Sequence, residues 1–187
     1  MGRVVYSMNV SLDGFAAGPN GDLSWSVPDE ELHRYWNDAV RDTAAALYGR
    51  RLYELMSAFW PTADEDPSLP EYMAEFARIW RAQPKVVFSS TLESVAGNSR
   101  LVSGDAVEEV ARLKAEVDGD LDVGGPTLAA SLLRAGLVDE VCPVVHPVIL
   151  GAGLPFLPSM DAYVRLRPVE TRRLDSGVVA LRYETLG

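Results

Sequence analysis

Residues 121–153, LDVGGPTLAASLLRAGLVDEVCPVVHPVILGAG, decide the fold. A short apolar run ends in Gly124 and Gly125, which permit a tight turn and close approach of a ligand to the backbone. Pro126 suits the first position of a helix, because the N–H that proline lacks would have no intrahelical acceptor there. A helix with three leucines on one side follows, and a glycine is placed to end it. A second strand, predicted over residues 138–150, completes a strand, turn, helix, strand unit.

This glycine turn has two interpretations. The free N–H groups at a helix start attract phosphate, so the unit is typical of nucleotide binding. The same pattern describes an ordinary crossover between parallel strands, and a short glycine motif does not decide between them. Both interpretations stay open on these residues alone.

The alternation of strands and helices extends in both directions from this unit. Strands are predicted over residues 3–10, 43–48, 85–89, 100–102, 163–174 and 178–186, and helices begin at residues 28–31, 50–52, 71 and 105. Asp175-Ser176-Gly177 separates the last two strands and is a hairpin turn signal. No repeat or interdomain linker interrupts the pattern. We therefore predict one α/β domain over residues 1–187, with a mostly parallel sheet, helices on both faces and a C-terminal antiparallel hairpin.

Composition argues against several partners. The net charge is -10 and no Lys/Arg run offsets it, so nucleic acid is not an expected partner. No apolar run approaches the roughly 20 residues that span a bilayer, and the N-terminus lacks a signal sequence, so no membrane association is expected. The single cysteine, Cys142, has no partner for an internal disulfide, which favours a cytoplasmic location. Cys142 and the two histidines lack metal-ligand spacing, so no metal site is predicted.

Four segments that favour a bound anion follow predicted strands. They are the glycine-rich loop near residues 14–21, Gly49-Arg50-Arg51, Ser89-Ser90 and Gly124-Gly125. Two arginines at a helix start oppose the helix dipole; an anionic ligand would resolve that conflict, whereas solvated arginines would only tolerate it. Serine hydroxyls at a strand end either hold a ligand or satisfy the turn backbone. Because ligands of open α/β sheets bind outside the carboxyl ends of the strands, the four segments are expected to converge on one cleft. This favours a nucleotide-dependent enzyme.

Four phrases in the chain carry a family resemblance. They are SLDG (residues 11–14), GGPTL (124–128), AGLVDE (135–140) and PVILGAG (147–153). Together with the order of elements they resemble the dihydrofolate reductase superfamily, and more closely the branch that includes the reductase domain of bacterial riboflavin biosynthesis. The resemblance covers nearly the whole chain. It implies a dihydrofolate reductase-like three-layer αβα fold, NADPH as the cofactor, and hydride transfer to a small pterin-like, pyrimidine-like or carbonyl substrate. A homodimer is a further expectation, because related reductase domains pair through their sheets.

The resemblance also implies the site residues. Arg50 and Arg51 would meet the 2′-phosphate and pyrophosphate of NADPH, a task that suits the bidentate guanidinium group. The full set of cofactor-binding residues it implies is Gly49, Arg50, Arg51, Ser89, Ser90, Gly124, Gly125, Thr127 and Leu128. Asp13, Gly21 and Trp25 belong to the loop expected to close over the substrate.

A carboxylate near the start of the first helix is the implied catalytic group, since it holds the pterin in folate reductases and promotes its protonation. Within the acidic cluster Asp29-Glu30-Glu31, counting from Trp25 and Pro28 gives Glu30, or Glu31 if the alignment slips by one residue. Such a carboxylate would need a raised pKa to donate a proton near neutral pH. Acidic residues at a helix start also stabilise the helix without any catalytic role.

Three departures from the family pattern matter. Ser7 stands where the riboflavin-pathway domain usually has a lysine, and Val123 stands where it often has an acidic residue. The aromatic-rich insert over residues 60–80 either covers the substrate end of the cleft or packs against the sheet. A non-catalytic nucleotide-binding or sensing protein on the same fold is therefore the alternative, and a true folate or riboflavin-pathway reductase is the third hypothesis.

Overall fold

A computed structural model describes residues 2–186. Its elements in chain order are β1 (Val4–Ser11), β2 (Phe15–Ala17), α1 (Glu30–Arg41), β3 (Ala45–Gly49), α2 (Arg50–Ser57), α3 (Glu71–Ala82), β4 (Lys85–Phe88), β5 (Ser99–Val102), α4 (Ala106–Glu116), β6 (Leu121–Gly124), α5 (Pro126–Arg134), β7 (Glu140–His146), β8 (Leu154–Pro155), β9 (Arg165–Arg173) and β10 (Val179–Leu186). Single 3-10 turns lie at Pro19–Gly21, Ser24–Ser26 and Ala63–Glu65.

One sheet contains eight of these strands, in the order β5-β4-β3-β6-β1-β7-β10-β9. The first six in this order are parallel, β10 is antiparallel to β7, and β9 is antiparallel to β10. Strands β2 and β8 form a separate short antiparallel pair. The prediction of a mostly parallel sheet closed by an antiparallel hairpin is confirmed.

Helices cover both faces of the sheet, because successive side chains of a strand point to opposite faces. Leu47 packs with residues of α4 and α5, whereas its neighbours Ala46 and Tyr48 pack with residues of α2 and α3. Helix α1 lies on the same face as α2 and α3 and covers Val144 and Ala180. The result is the expected three-layer arrangement. Within residues 2–186, no helix has both the length and the apolar character needed to cross a membrane.

Strand β7 is shorter than the predicted strand over residues 138–150. It ends at His146, because Pro147 follows and the N–H of Val148 turns back to the carbonyl of His146 at 2.8 Å. Pro143 also lies inside β7 and has no N–H to donate to a ladder. The apolar composition predicted the longer strand, and Pro147 ends the strand after His146.

Helix α1 buries polar as well as apolar side chains. His33 and Asn37 are buried, whereas Ala39 is exposed. The cause is α3, which packs on a second side of α1: the side-chain amide of Asn37 donates to the carbonyl of Tyr72 at 2.9 Å and to Glu75 at 2.8 Å. The aromatic-rich insert takes part in this contact, so it packs within the helical layer.

Helix α2 buries a tyrosine, and two large apolar side chains in it and just after it are exposed. Leu55 and Phe59 are 51% and 46% exposed, whereas Tyr53 is 6% exposed. The Tyr53 hydroxyl accepts a hydrogen bond from the backbone of Ala96 at 2.8 Å, which ties α2 to the segment after β4.

Candidate functional site

The segments that the sequence singled out follow strands that end along one edge of the sheet, which we call the carboxyl edge. The β3–β6 register pairs Tyr48 with Gly124, and β3 ends beside β4, so the turns after these three strands are neighbours. The β1–β7 register pairs Ser11 with His146, so the loop after β1 lies next to the end of β7. The four segments therefore lie along one edge of the sheet, and their convergence on a single cleft stays a prediction.

Two helices begin at the carboxyl edge without a side-chain cap. Gly49 precedes α2 and Gly125 precedes α5, and neither helix start receives a side-chain hydrogen bond. The N–H groups in their first turns lack intrahelical acceptors and favour a bound anion. Arg50 and Arg51 are exposed, and within residues 2–186 their side chains form neither a hydrogen bond nor an ion pair. A Cβ at Gly49 would meet nothing within 4 Å, so the space in front of α2 is open.

Packing explains part of the Gly124-Gly125 pair. A Cβ at Gly124 would collide with the Leu52 side chain and lie 3.0 Å from the Tyr48 ring, so glycine lets α2 pack on β6. Gly125 has φ +100°, a conformation that L side chains rarely adopt. The crossover interpretation thus accounts for both glycines, while the free amides of α5 remain suited to phosphate.

The other predicted cofactor-binding residues along this edge differ in their exposure and in their hydrogen bonds. The Ser89 hydroxyl accepts hydrogen bonds from the backbone of Thr91 at 3.2 Å and of Leu92 at 3.0 Å, so it satisfies the turn after β4. Ser90 and Thr127 are exposed. The Leu128 side chain is 8% exposed and belongs to the core, so its backbone amide in the first turn of α5 is the part that faces outward.

A cavity of about 240 Å³ opens between the end of β7, the start of α1 and the β9–β10 turn. Its lining residues are Trp25, Val27, Asp29, Leu32, His146, Pro147, Val148, Ser176 and Val178. The Trp25 ring stands edge-on to His146, with ring centroids 5.3 Å apart, and its Nε1 donates to the carbonyl of Asp22 at 3.0 Å. Of the three residues predicted for the loop that closes over the substrate, Trp25 lines this cavity, and Asp13 and Gly21 do not.

The carboxylate that lines the cavity is Asp29. It is the N-cap of α1 and accepts a hydrogen bond from the backbone of Leu32 at 2.8 Å. Glu30 is on the solvent side of α1, in an ion pair with Arg34 at 2.8 Å. Glu31 accepts a hydrogen bond from the backbone of Asp175 at 2.8 Å, at the rim formed by the hairpin turn. Neither glutamate lines this cavity, and the catalytic role predicted for them stays a prediction.

His146 is a cavity residue that sequence reasoning missed. His146 is only 6% exposed, and its Nε2 is buried without a hydrogen-bond partner within residues 2–186. Burial lowers the pKa of His146, and the negative charge of Asp29 partly opposes that shift. The available signal was a polar residue that ends an apolar strand directly before a proline.

Asp13 anchors the lid (residues 13–26) rather than facing the cavity. Its carboxylate accepts hydrogen bonds from the backbone of Leu150 at 3.1 Å and of Gly151 at 2.7 Å. Gly21 has φ +81° and lies in the exposed turn at the lid tip. The carbonyl of Gly14 accepts a hydrogen bond from the backbone of Phe156 at 2.9 Å, so the lid is also joined to the segment after β8.

Ser7, which replaces the expected lysine, does not reach the carboxyl edge. It lines a second cavity of about 330 Å³ on the sheet face beneath the C-terminal half of α1. There its hydroxyl donates to Asp122 at 2.6 Å, and burial raises the pKa of Asp122 to about 6. Position 7 thus takes part in a polar network within the sheet face.

Comparisons with known proteins agree with this architecture. The model of the RibD C-terminal domain matches residues 3–180. The uncharacterized protein YyaP of Bacillus subtilis (strain 168) is 31% identical over 186 residues, which cover 99% of this chain and 96% of YyaP.

Two solved structures share the fold at low sequence identity. A protein from Shewanella sp. PV-4, provisionally assigned to riboflavin biosynthesis, superposes with a TM-score of 0.77 at 20% identity and covers 99% of both chains. Dihydrofolate reductase from Enterococcus faecalis, complexed with NADP(H) and RAB-propyl, superposes with a TM-score of 0.66 at 16% identity and covers 99% of this chain and 97% of the reductase. The predicted resemblance is confirmed: the protein belongs to the RibD C-terminal domain family and has a dihydrofolate reductase-like α/β fold.

Proposed function

We propose that the protein is an NADPH-dependent reductase that transfers hydride to a small heterocyclic (pterin- or pyrimidine-like) or carbonyl substrate. One observation carries the proposal: unpaired Arg50 and Arg51 and two uncapped helix starts share the carboxyl edge with the cavity at His146. The ends of β3 and β7 are three strand spacings apart, about 14 Å. An extended dinucleotide can reach from one to the other.

The residues at the β3–β6 part of the edge fit the phosphates of NADPH. Arg50 and Arg51 offer guanidinium groups that pair with no carboxylate among residues 2–186, and the amides at the starts of α2 and α5 add dipoles of the right sign. Bound NADPH would supply the hydride. Ser90 and Thr127 are exposed beside these groups and complete the polar lining.

The cavity fits a flat substrate with polar edges. Trp25, Leu32 and Val178 give it apolar walls, and Asp29 and His146 are its two titratable side chains. Such walls exclude water, while the polar groups fix the orientation of the ring. In this proposal the carboxylate beside the substrate is Asp29 rather than Glu30.

A titration with NADPH tests the proposal directly. Cofactor fluorescence is followed for the wild-type protein, for the double variant Arg50→Ala/Arg51→Ala and for the control Arg165→Ala/Arg167→Ala, which removes the same charge from β9. Each lost charge-assisted contact is worth about 1.5–3 kcal/mol, so the first variant should bind NADPH at least tenfold more weakly. Equal affinity in all three proteins, or no binding by any, would overturn the proposal.

The second candidate function is a non-catalytic nucleotide-binding or sensing protein. Its support is the ion pair between Glu30 and Arg34, which leaves the expected proton source in solvent. NADPH binding without oxidation in the presence of dihydrofolate, the riboflavin-pathway ribosylaminopyrimidine or small carbonyl compounds would favour this function. Oxidation that depends on a cavity side chain would exclude it.

A further inference from the structure

His146 occupies a position where packing alone does not call for a histidine. The cavity walls around it are otherwise mostly apolar, with Leu32, Val148 and Val178 among them. Its Nε2 is buried and has no partner within the described residues, although buried polar atoms in proteins are nearly always hydrogen-bonded. Because His146 also lines the cavity, we expect its partner to be a group that enters the cavity and reaches Nε2 after a small movement of the ring.

The other histidine shows what a structural histidine looks like in this chain. His33 packs among Trp60, Tyr72 and Phe76, and its Nδ1 lies 3.2 Å from the side-chain oxygen of Asn37. It lines neither of the two cavities. His146 differs in both respects, since it lines a cavity and lacks the partner.

Reduction of a C=N or C=O group needs a proton as well as a hydride. The hydride brings both electrons of the new C–H bond, the π pair moves to nitrogen or oxygen, and a proton must complete the N–H or O–H bond. Among the cavity-lining residues, the titratable side chains are Asp29 and His146. One Asp29 oxygen already accepts the hydrogen bond that caps α1. The Nε2 of His146 has no partner within the described residues, so we take the imidazole rather than the capping carboxylate as the group that delivers the proton.

We propose that His146 is the proton donor of the reduction, and that Asp29 sets how much of it is protonated. This inference rests on the proposed reductase function. The imidazolium gives its proton to the substrate nitrogen or oxygen, becomes neutral, and takes a new proton from solvent when product leaves. The sum is substrate, NADPH and one proton going to reduced substrate and NADP⁺.

The protonation state of His146 depends on its burial and on the charged groups that line the cavity. Asp29, the N-cap of α1, is the one charged side chain among the lining residues. The neighbouring side chains from other elements are uncharged: Trp25 of the lid, Ser176 of the hairpin turn and the adjacent Ser11 of β1. Burial disfavours the imidazolium, and Asp29 favours it. The protonated form of His146 therefore becomes more populated as pH falls, and the rate of reduction should rise with it.

A readout without turnover tests whether His146 can carry the proton. With only two histidines in the chain, ring-¹⁵N spectra of the full-length protein give two sets of signals, and His146→Asn removes one of them. We expect the His146 ring to titrate below pH 6.5 and to titrate lower still in Asp29→Asn. A ring that stays neutral down to pH 4, or a midpoint that Asp29→Asn leaves unchanged, would overturn the inference.

Turnover distinguishes this inference from the proposed function. NADPH oxidation is followed from pH 5 to 9 with dihydrofolate, the ribosylaminopyrimidine and small carbonyl compounds. His146→Asn should lower kcat by roughly 100-fold and flatten its pH profile, while NADPH affinity stays within about twofold. His146→Asn with unchanged kcat and pH profile would refute the proton-donor role alone. Absence of NADPH binding in the wild-type protein would instead refute the reductase function.

Discussion

The carboxylate of Asp13 lies 2.7 Å from the backbone nitrogen of Gly151 and closes a clamp between the lid and the loop after β7. Asp13→Ala should release this clamp. We expect faster amide hydrogen exchange at Leu150 and Gly151 and a higher KM, because the lid then spends less time closed. Asp22→Ala, which removes a hydrogen bond made within the lid itself, is the control.

The same clamp should depend on pH. Hydrogen bonds from Ser11, Leu150 and Gly151 hold the pKa of Asp13 below its usual range. Its contribution is therefore present above the unfolded pKa of about 3.9 and is lost as pH falls through the lower, folded value. Exchange at Gly151 that stays equally slow in Asp13→Ala would contradict the clamp.

Asp29 and Glu30 are adjacent in sequence but should differ in function. Asp29→Asn should lower kcat/KM at least tenfold, because it removes the one charged side chain that lines the cavity while asparagine still caps α1. Glu30→Gln should change kcat/KM by less than about twofold, since it breaks an exposed i,i+4 ion pair worth about 0.3–0.5 kcal/mol. The opposite order of effects in steady-state assays would restore Glu30 as the catalytic carboxylate.

Gly124 and Gly49 should respond differently to alanine. A methyl group at Gly124 enters the space held by Leu52 and Tyr48, so we expect a loss of about 1–3 kcal/mol in the free energy of unfolding. Gly49→Ala meets no atom within 4 Å and should change stability little. Urea denaturation measures both variants. Equal stability of the two would show that α2 does not need the glycine for packing.

The Asp122 carboxyl should make stability depend on pH in the opposite direction to Asp13. Its folded pKa of about 6 is above the unfolded value, so the folded state favours the protonated form. Stability from this group is present at low pH and falls as pH rises from about 4 to 6. Asp122→Asn keeps an acceptor for Ser7 and should raise the unfolding free energy by on the order of 1–2 kcal/mol at pH 8, with no gain at pH 4. Thermal melts at both pH values decide this.

Strand β9 leaves the homodimer expectation open to a direct test. All nine of its residues are exposed, it forms the edge of the sheet, and Leu166 and Val169 are 40% and 50% exposed. Unpaired edge strands invite pairing with another chain. We predict a dimer by light scattering that Val169→Lys converts to a monomer. A wild-type monomer at 100 μM would contradict it.

Local sequence signals predicted much of the fold. Asp105 caps α4 by accepting hydrogen bonds from the backbone of Val107 and Glu108, at the helix start predicted there. Gly136 has φ +67° at the end of α5, and the last two strands form the predicted hairpin. These features depend on residues a few positions apart, which the sequence contains directly.

The cavity was less accessible to such reasoning, because its geometry depends on how distant elements meet. Asp29 reaches the cavity because α1 begins beside the end of β7. Counting residues from Trp25 gives no information on how α1 is oriented relative to β7. His146 carried no motif. Its importance comes from burial and from a missing partner, which are properties of the folded chain.

Strand β1 lies between β6 and β7 and so keeps the arginine-bearing turn and the cavity on different sides of one central strand. Under the proposed function, residues that contact the substrate can then be substituted without disturbing those that contact the dinucleotide. Val148 and Ser176 of the cavity, for example, can be exchanged one at a time while the start of α2 stays unchanged. The order of eight strands thereby makes this scaffold easy to diversify.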